Sequence, residues 1–319
     1  MYTLKIIKKI NLPPLPEINK IICDRIGNFY ILSGKESIVL KIDSSGKILD
    51  SIIKGKGYGV GEGKFLGDIE YDEENKIIFI SDFILNRISQ FNEEGKFINS
   101  FLVGELFGNI GICADTIFLR ILEEVKEVDS LNYEAFLFHK VHKKTGNFLG
   151  NVAKSIINRE IDEFFSMPFT INCGKRLIYL IIPPDKIEIR KLNGEIVNVV
   201  RKSEWVFLSN LFLLNNRYLV ISSFSESKEA YIIKEMIDSW KRISLNKMIK
   251  ERILRKNLFK IQKEPPKIYE EISYVVDIFD TESNKFILKD YLPQGELVGA
   301  KDNKVFFVKS DTLLIFKLE

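Results

Sequence analysis

The stretch Gly55–Phe101, GKGYGVGEGKFLGDIEYDEENKIIFISDFILNRISQFNEEGKFINSF, decides the fold. It contains four short runs rich in β-branched and aromatic residues: Gly67–Asp72, Lys76–Asp82, Arg87–Asn92 and Lys96–Phe101. Turn formers separate them, Glu73-Glu74-Asn75 and Glu93-Glu94-Gly95. Four strands of this size in about 45 residues make one blade of a β-propeller.

The same rhythm recurs outward in both directions. Blade 1 spans about Ile18–Ile53, with INKIICD, NFYILSG, SIVLKID and KILDSII as its runs. Blade 3 starts at Gly108 and resumes at Glu134, and blade 4 covers about Pro168–Val200. Blade 5 starts near Ser209 and resumes at Ile272, and blade 6 is Glu296–Glu319. Blade 6 has only three runs, while Tyr2–Ile10 is a spare one before blade 1. An unpaired sheet edge invites aggregation and ring closure removes it. The expectation is therefore an all-β fold, one six-bladed propeller domain over residues 1–319, in which Tyr2–Ile10 pairs with Thr312–Leu318.

Blade 2 resembles an NHL repeat, and the chain as a whole is similar to NHL and TolB-like propellers. The resemblance rests on Gly57, Gly61, Gly63 and Phe65, the strand Ile77–Ser81, then Asp82, Asn86-Arg87-Ile88 and Gly95. Gly67 departs from it, standing near where such repeats often carry Pro. The resemblance implies that Asp82 and Arg87 fix a loop rather than catalyse.

Composition bounds the function. The chain has 319 residues, 45% hydrophobic and 29% charged, with a net charge of +3. Chains of this length bury about 75% of their unfolded surface, so no metal or disulfide is needed for a core. The charge is too small for whole-protein nucleic-acid binding. Nothing reads as a secretory leader or a span of about 18 apolar residues, which favours a cytoplasmic protein. Cys23, Cys113 and Cys173 fall at matching places in blades 1, 3 and 4 and are expected as separate buried thiols, too far apart to bridge.

Two insertions interrupt the rhythm, Leu122–Tyr133 in blade 3 and Ser223–Glu270 in blade 5. Both lie between second and third strands. Such connections open on the same face as the links between blades, so both insertions and the Gly-rich loop Lys54–Lys64 are expected at one mouth, where binding is to be sought. The larger insertion reads as partly helical, with Ile233, Met236, Ile237 and Trp240 at i, i+3, i+4, i+7. Between Lys241 and Lys267 it has ten Lys or Arg against Glu251 and Glu264.

No catalytic set emerges. The glycines of 55–63 lack the G-x-G-x-x-G spacing and precede a strand, so they read as a flexible lead-in loop rather than a phosphate site. His139 and His142 sit three apart on one strand and point to opposite faces. The leading expectation is a non-enzymatic binding platform for a protein, peptide or small ligand, monomeric, without a cofactor. Its candidate contact residues are Tyr58, Lys64, Phe83, Arg87, Arg120, Glu123, Trp240, Arg252 and Arg255. One alternative is a Ca²⁺-dependent hydrolase or lactonase, with Asp68, Glu70 and Asn172 as oxygen ligands facing the channel. Another is a binder of RNA or acidic lipid through residues 241–267.

Overall fold

The computed structural model describes residues 2–104, 109–129, 132–158, 171–174, 177–182, 186–202, 207–224, 274–293 and 295–319. Among them are twenty-four strands and no helix. They form six antiparallel four-stranded sheets. Blade 1 is β2 (Lys20–Cys23), β3 (Phe29–Ser33), β4 (Ile38–Ile42) and β5 (Ile48–Lys54). Blade 2 is β6 (Leu66–Asp72), β7 (Ile77–Asp82), β8 (Arg87–Asn92) and β9 (Phe97–Leu102). Blade 3 is β10 (Ile110–Cys113), β11 (Thr116–Glu127), β12 (Asn132–His142) and β13 (Phe148–Asn158). Blade 4 is β14 (Ile171–Cys173), β15 (Leu177–Ile182), β16 (Lys186–Lys191) and β17 (Ile196–Arg201). Blade 5 is β18 (Phe207–Leu214), β19 (Tyr218–Phe224), β20 (Tyr274–Asp280) and β21 (Lys285–Tyr291). Blade 6 is β22 (Glu296–Lys301), β23 (Lys304–Lys309) and β24 (Thr312–Leu318), completed by β1 (Leu4–Asn11).

The closure is the one expected from the strand count. β1 pairs with β24 from Leu4 opposite Leu318 to Asn11 opposite Thr312. Thr3 and Glu319 then exchange both backbone hydrogen bonds at 3.0 Å, so the first and last residues of the ring clasp each other.

The burial follows from blades packed face to face. Every residue of β3, Phe-Tyr-Ile-Leu-Ser, is buried, as are Ile78–Asp82 of β7. A strand covered on both faces reads as a continuous apolar run rather than an alternating one. Outer strands begin exposed: Ile48, Leu49 and Asp50 open to solvent before Ile52 and Ile53 turn inward. The buried apolar residues fall into six clusters, one at each junction between neighbouring blades. The seam between blades 6 and 1 is one of them, where Ile10 and Leu12 pack with Phe29, Phe306 and Ile315.

Turn chemistry sets the strand ends. The third-to-fourth turns of blades 1 to 4 place Gly46, Gly95, Gly146 and Gly194 at φ between 72° and 94°, where only glycine is unstrained. Around the channel the inner strands approach so closely that a Cβ on Gly299 would lie 2.2 Å from the Ile21 carbonyl oxygen.

Three expectations need correction. Cys113 and Cys173 form a disulfide, with their Cα atoms 5.5 Å apart. They do lie on different blades, but β10 and β14 are neighbouring innermost strands, and the radial arrangement crowds blades together at the channel. Much of Leu122–Tyr133 is strand and not loop: β11 runs on to Glu127 and β12 starts at Asn132, and the two pair from Glu123 opposite Phe136 to Glu127 opposite Tyr133. The Gly-rich segment is likewise not a free lead-in, as its hydrogen bonds below show. The helical reading of 233–240 lies outside the described residues. The chain leaves and re-enters the sheet there at Phe224 and Tyr274, which are paired.

Candidate functional site

The Gly55–Phe65 loop joins β5 to β6 and folds back over blade 2. Lys54 N donates to Gly61 O at 2.9 Å, Gly57 N to Gly63 O at 2.8 Å and Gly63 N to Gly55 O at 3.1 Å. Three side chains hold it from outside this ladder. Arg87 donates to Tyr58 O at 3.1 Å and Glu62 O at 2.6 Å. Asp82 accepts from Lys64 N at 2.7 Å and from Leu85 N at 3.1 Å. Glu62 accepts from Gly59 N at 3.0 Å. Asp82 and Arg87 thus each fix the loop, through backbone groups rather than through one another.

This framework holds large apolar side chains in solvent. Tyr58 is 75% exposed, Val60 68%, Ile84 57% and Leu102 77%. They belong to one neighbourhood: Arg87 bonds Tyr58, its ladder partner is Leu102, and Ile84 sits in the turn that Asp82 caps. The Lys64 ammonium lies 4.1 Å from the centre of the Tyr58 ring, a cation–π contact, and Phe83 packs edge-on against Phe65 at 4.7 Å.

Of the candidate contact residues, Tyr58, Lys64, Phe83 and Arg87 therefore converge. Arg120 is half-buried on β11, opposite Phe138, and burial pushes its guanidinium down to about 10. Glu123 stands opposite Phe136 in the same hairpin. Trp240, Arg252 and Arg255 lie outside the described residues. Val60, Ile84 and Leu102 escaped the sequence reading because exposed apolar residues and strand-core residues look alike in a β-rich chain.

The channel carries a second cluster. Lys20 of β2 reaches Asp68 at 2.8 Å and Glu70 at 2.6 Å, both on β6. Asp68 also accepts from its own neighbour Ile69 N at 2.8 Å and from Ile110 N of blade 3 at 3.1 Å. Its carboxylate thus braces three blades, and the Lys20 ammonium takes the place beside both acids that a bound cation would need. Lys20 is legible in the sequence as the blade-1 counterpart of these positions, a basic residue aligned with acids on the next blade. The backbone of Asn172 lies on β14, two blades from β6. Among the described residues no group of three or more His, Cys, Asp or Glu side chains converges. His139 packs against the Phe148 ring and His142 meets Thr145.

Two carboxylates sharing one ammonium leave a negative charge uncompensated. Burial pushes the Glu70 carboxyl up to about 7 against the pull of Lys20, and the Asp68 charge adds to the rise. Glu70 therefore holds its proton longer in the folded than in the unfolded chain. The folded state binds more protons between the ordinary glutamate value and about 7, so stability falls as pH rises through that window. Thermal melts from pH 4.5 to 7.5 should show this decline, and Glu70→Gln should flatten it; an unchanged slope in the variant would assign the decline elsewhere.

No protein-family profile and no curated protein sequence matches the chain. Solved structures do. A putative exported protein of Bacteroides fragilis superposes with a TM-score of 0.61 at 11% identity, over 99% of this chain and 95% of that one. The Pan2 WD40 domain of Neurospora crassa gives 0.54 at 8% identity, covering 98% and 95%. A chain of the mitotic checkpoint complex gives 0.53 at 6% identity, covering 99% and 93%. At these identities the likeness is one of fold.

Proposed function

We propose that the protein is a non-enzymatic scaffold that binds a protein or peptide through the blade-2 side of its loop-rich mouth. One observation carries the reading: a loop tied down by Arg87, Asp82 and Glu62 displays Tyr58 and Val60 to water beside Ile84 and Leu102. Contiguous exposed apolar surface on a rigid support is the usual form of a binding patch, and a preorganised aromatic anchor is its commonest energetic centre. Lys64 over Tyr58 adds a cation at the edge, which suits a partner with an acidic rim. The WD40 domain and the checkpoint-complex chain share the fold, which is compatible with a scaffold role without assigning a partner.

The test compares wild-type protein with the Tyr58→Ser, Val60→Ser double variant as baits in extract from its own cells. Both side chains are exposed, so the variant should melt within about 1 °C of wild type. A partner captured by wild type, confirmed with purified components and weakened at least about tenfold by the variant, supports the reading. Equal binding by both baits would place the interface elsewhere.

A further inference from the structure

On the opposite face from the loop-rich mouth, at the seam where the ring closes, lies a cavity of about 180 Å³. It is built from the closing strand and from blades 6 and 1 together. β1 supplies Ile7 and Lys8, the β2–β3 turn supplies Asp24 and Arg25, and the facing ends of β22 and β23 supply Lys301 and Lys304. Phe29 and Phe306, edge-on at 5.6 Å, together with Ile315, make its wall apolar.

We propose that this seam cavity binds a small organic monoanion: an apolar body of about one ring, carrying a carboxylate that faces Lys8 and Lys304. In volume it compares with an enclosed cavity of about 150 Å³ that accepts benzene, so one ring fits. The lining carries an excess of positive charge. Four cations, Lys8, Arg25, Lys301 and Lys304, stand against Asp24 and Asp302. Asp24 is already committed to its turn, accepting from Ile26 N, Asn28 N, Asn28 Nδ2 and Tyr30 Oη. Glu73 reaches in from outside the lining to Arg25 at 3.4 Å and Lys301 at 3.2 Å. Three carboxylates thus face four cations and one positive charge is left over. Lys8 and Lys304 are the cations with no ion-pair partner among the described residues.

The backbone supplies an independent observation. The β1–β24 register slips between Ile6 and Lys8, so Ile7 is the extra residue of a bulge. The bulge lies at the cavity and leaves Ile7 45% exposed on its wall. Bulges re-aim side chains, and they concentrate beside functional sites. Cys23 also lines the space, but burial and the Asp24 charge push its thiol up to about 11, so near neutrality it is a soft, protonated wall group and not a nucleophile.

The ligand would touch the closing strand and both blades that it joins, so binding is coupled to closure. A ligand that binds only the closed ring raises the melting temperature with concentration. The experiment titrates the full chain with benzoate, and with benzyl alcohol as its uncharged counterpart, by calorimetry and by thermal melts. Saturable benzoate binding with a rising melting temperature is expected. It should weaken at least about tenfold in the Lys8→Gln, Lys304→Gln double variant and for benzyl alcohol. Both lysines are exposed, so the variant retains the fold, which its ligand-free melt verifies. No saturation up to about 10 mM benzoate overturns the proposal. So does equal affinity for benzyl alcohol, or for benzoate in the double variant, since the site would then read no charge.

Discussion

Removal of residues 1–12 abolishes the folded monomer. The deletion takes away β1 and with it the buried side chains of Leu4, Ile10 and Leu12. Each is worth about 2 kcal/mol on burial, so roughly 6 kcal/mol is lost from apolar contacts alone. That is comparable with the whole stability of an ordinary domain, about 5–15 kcal/mol. The loss is compounded at the edge of blade 6, where β24 would expose the backbone groups that β1 now satisfies from Thr312 to Leu318. An unpaired strand of this kind recruits other chains. Light scattering after size exclusion should find aggregate or oligomer, and melts should show no cooperative transition near that of wild type. A stable monomer with an unchanged melt would refute the closure as the element that holds the ring.

Opening the Cys113–Cys173 bridge has the second largest expected effect. The two cysteines are 60 residues apart in sequence, and they tie the inner strands of blades 3 and 4. A cross-link closing a loop of that length is worth about 4 kcal/mol through the entropy of the unfolded chain. In a domain of this size that corresponds to a melting temperature lower by roughly 6 °C. The Cys113→Ala, Cys173→Ala double variant should show this fall, and reductant should lower the wild-type melt to match while leaving the variant unmoved. Thiol titration of the denatured, unreduced protein should find one thiol, that of Cys23. Three would show that the bridge is absent in solution. Because the link responds to the redox state of its surroundings, this part of the stability depends on the compartment as well as on the sequence.

The chain and its fold hold two kinds of information. The strands, their grouping by four and the ring closure were legible because they are local. Runs such as NFYILSG and KIIFISD report that both faces are covered, turn residues such as Ser45-Gly46 and Glu94-Gly95 mark their ends, and a blade one strand short has only one source for the fourth. The loop-fixing roles of Asp82 and Arg87 came from the resemblance of blade 2 to a known repeat, and the hydrogen bonds to Lys64, Tyr58 and Glu62 agree with them.

What stayed hidden are the contacts between residues on different blades. Cys113 and Cys173 each look like a small buried hydrophobe within its own blade, and only the crowding at the channel brings their Cα atoms to 5.5 Å. Asp68 and Glu70 look like oxygen ligands until Lys20 of the preceding blade is set between them. The seam cavity draws on residues from both ends of the chain and on a bulge that no composition rule announces. Periodicity along a strand sets which face is buried, so the blades are legible in the chain alone. The packing angle between blades determines which side chains meet across them. That angle arises only when six sheets close one ring, so the bridge, the channel brace and the candidate sites were decided by the tertiary structure.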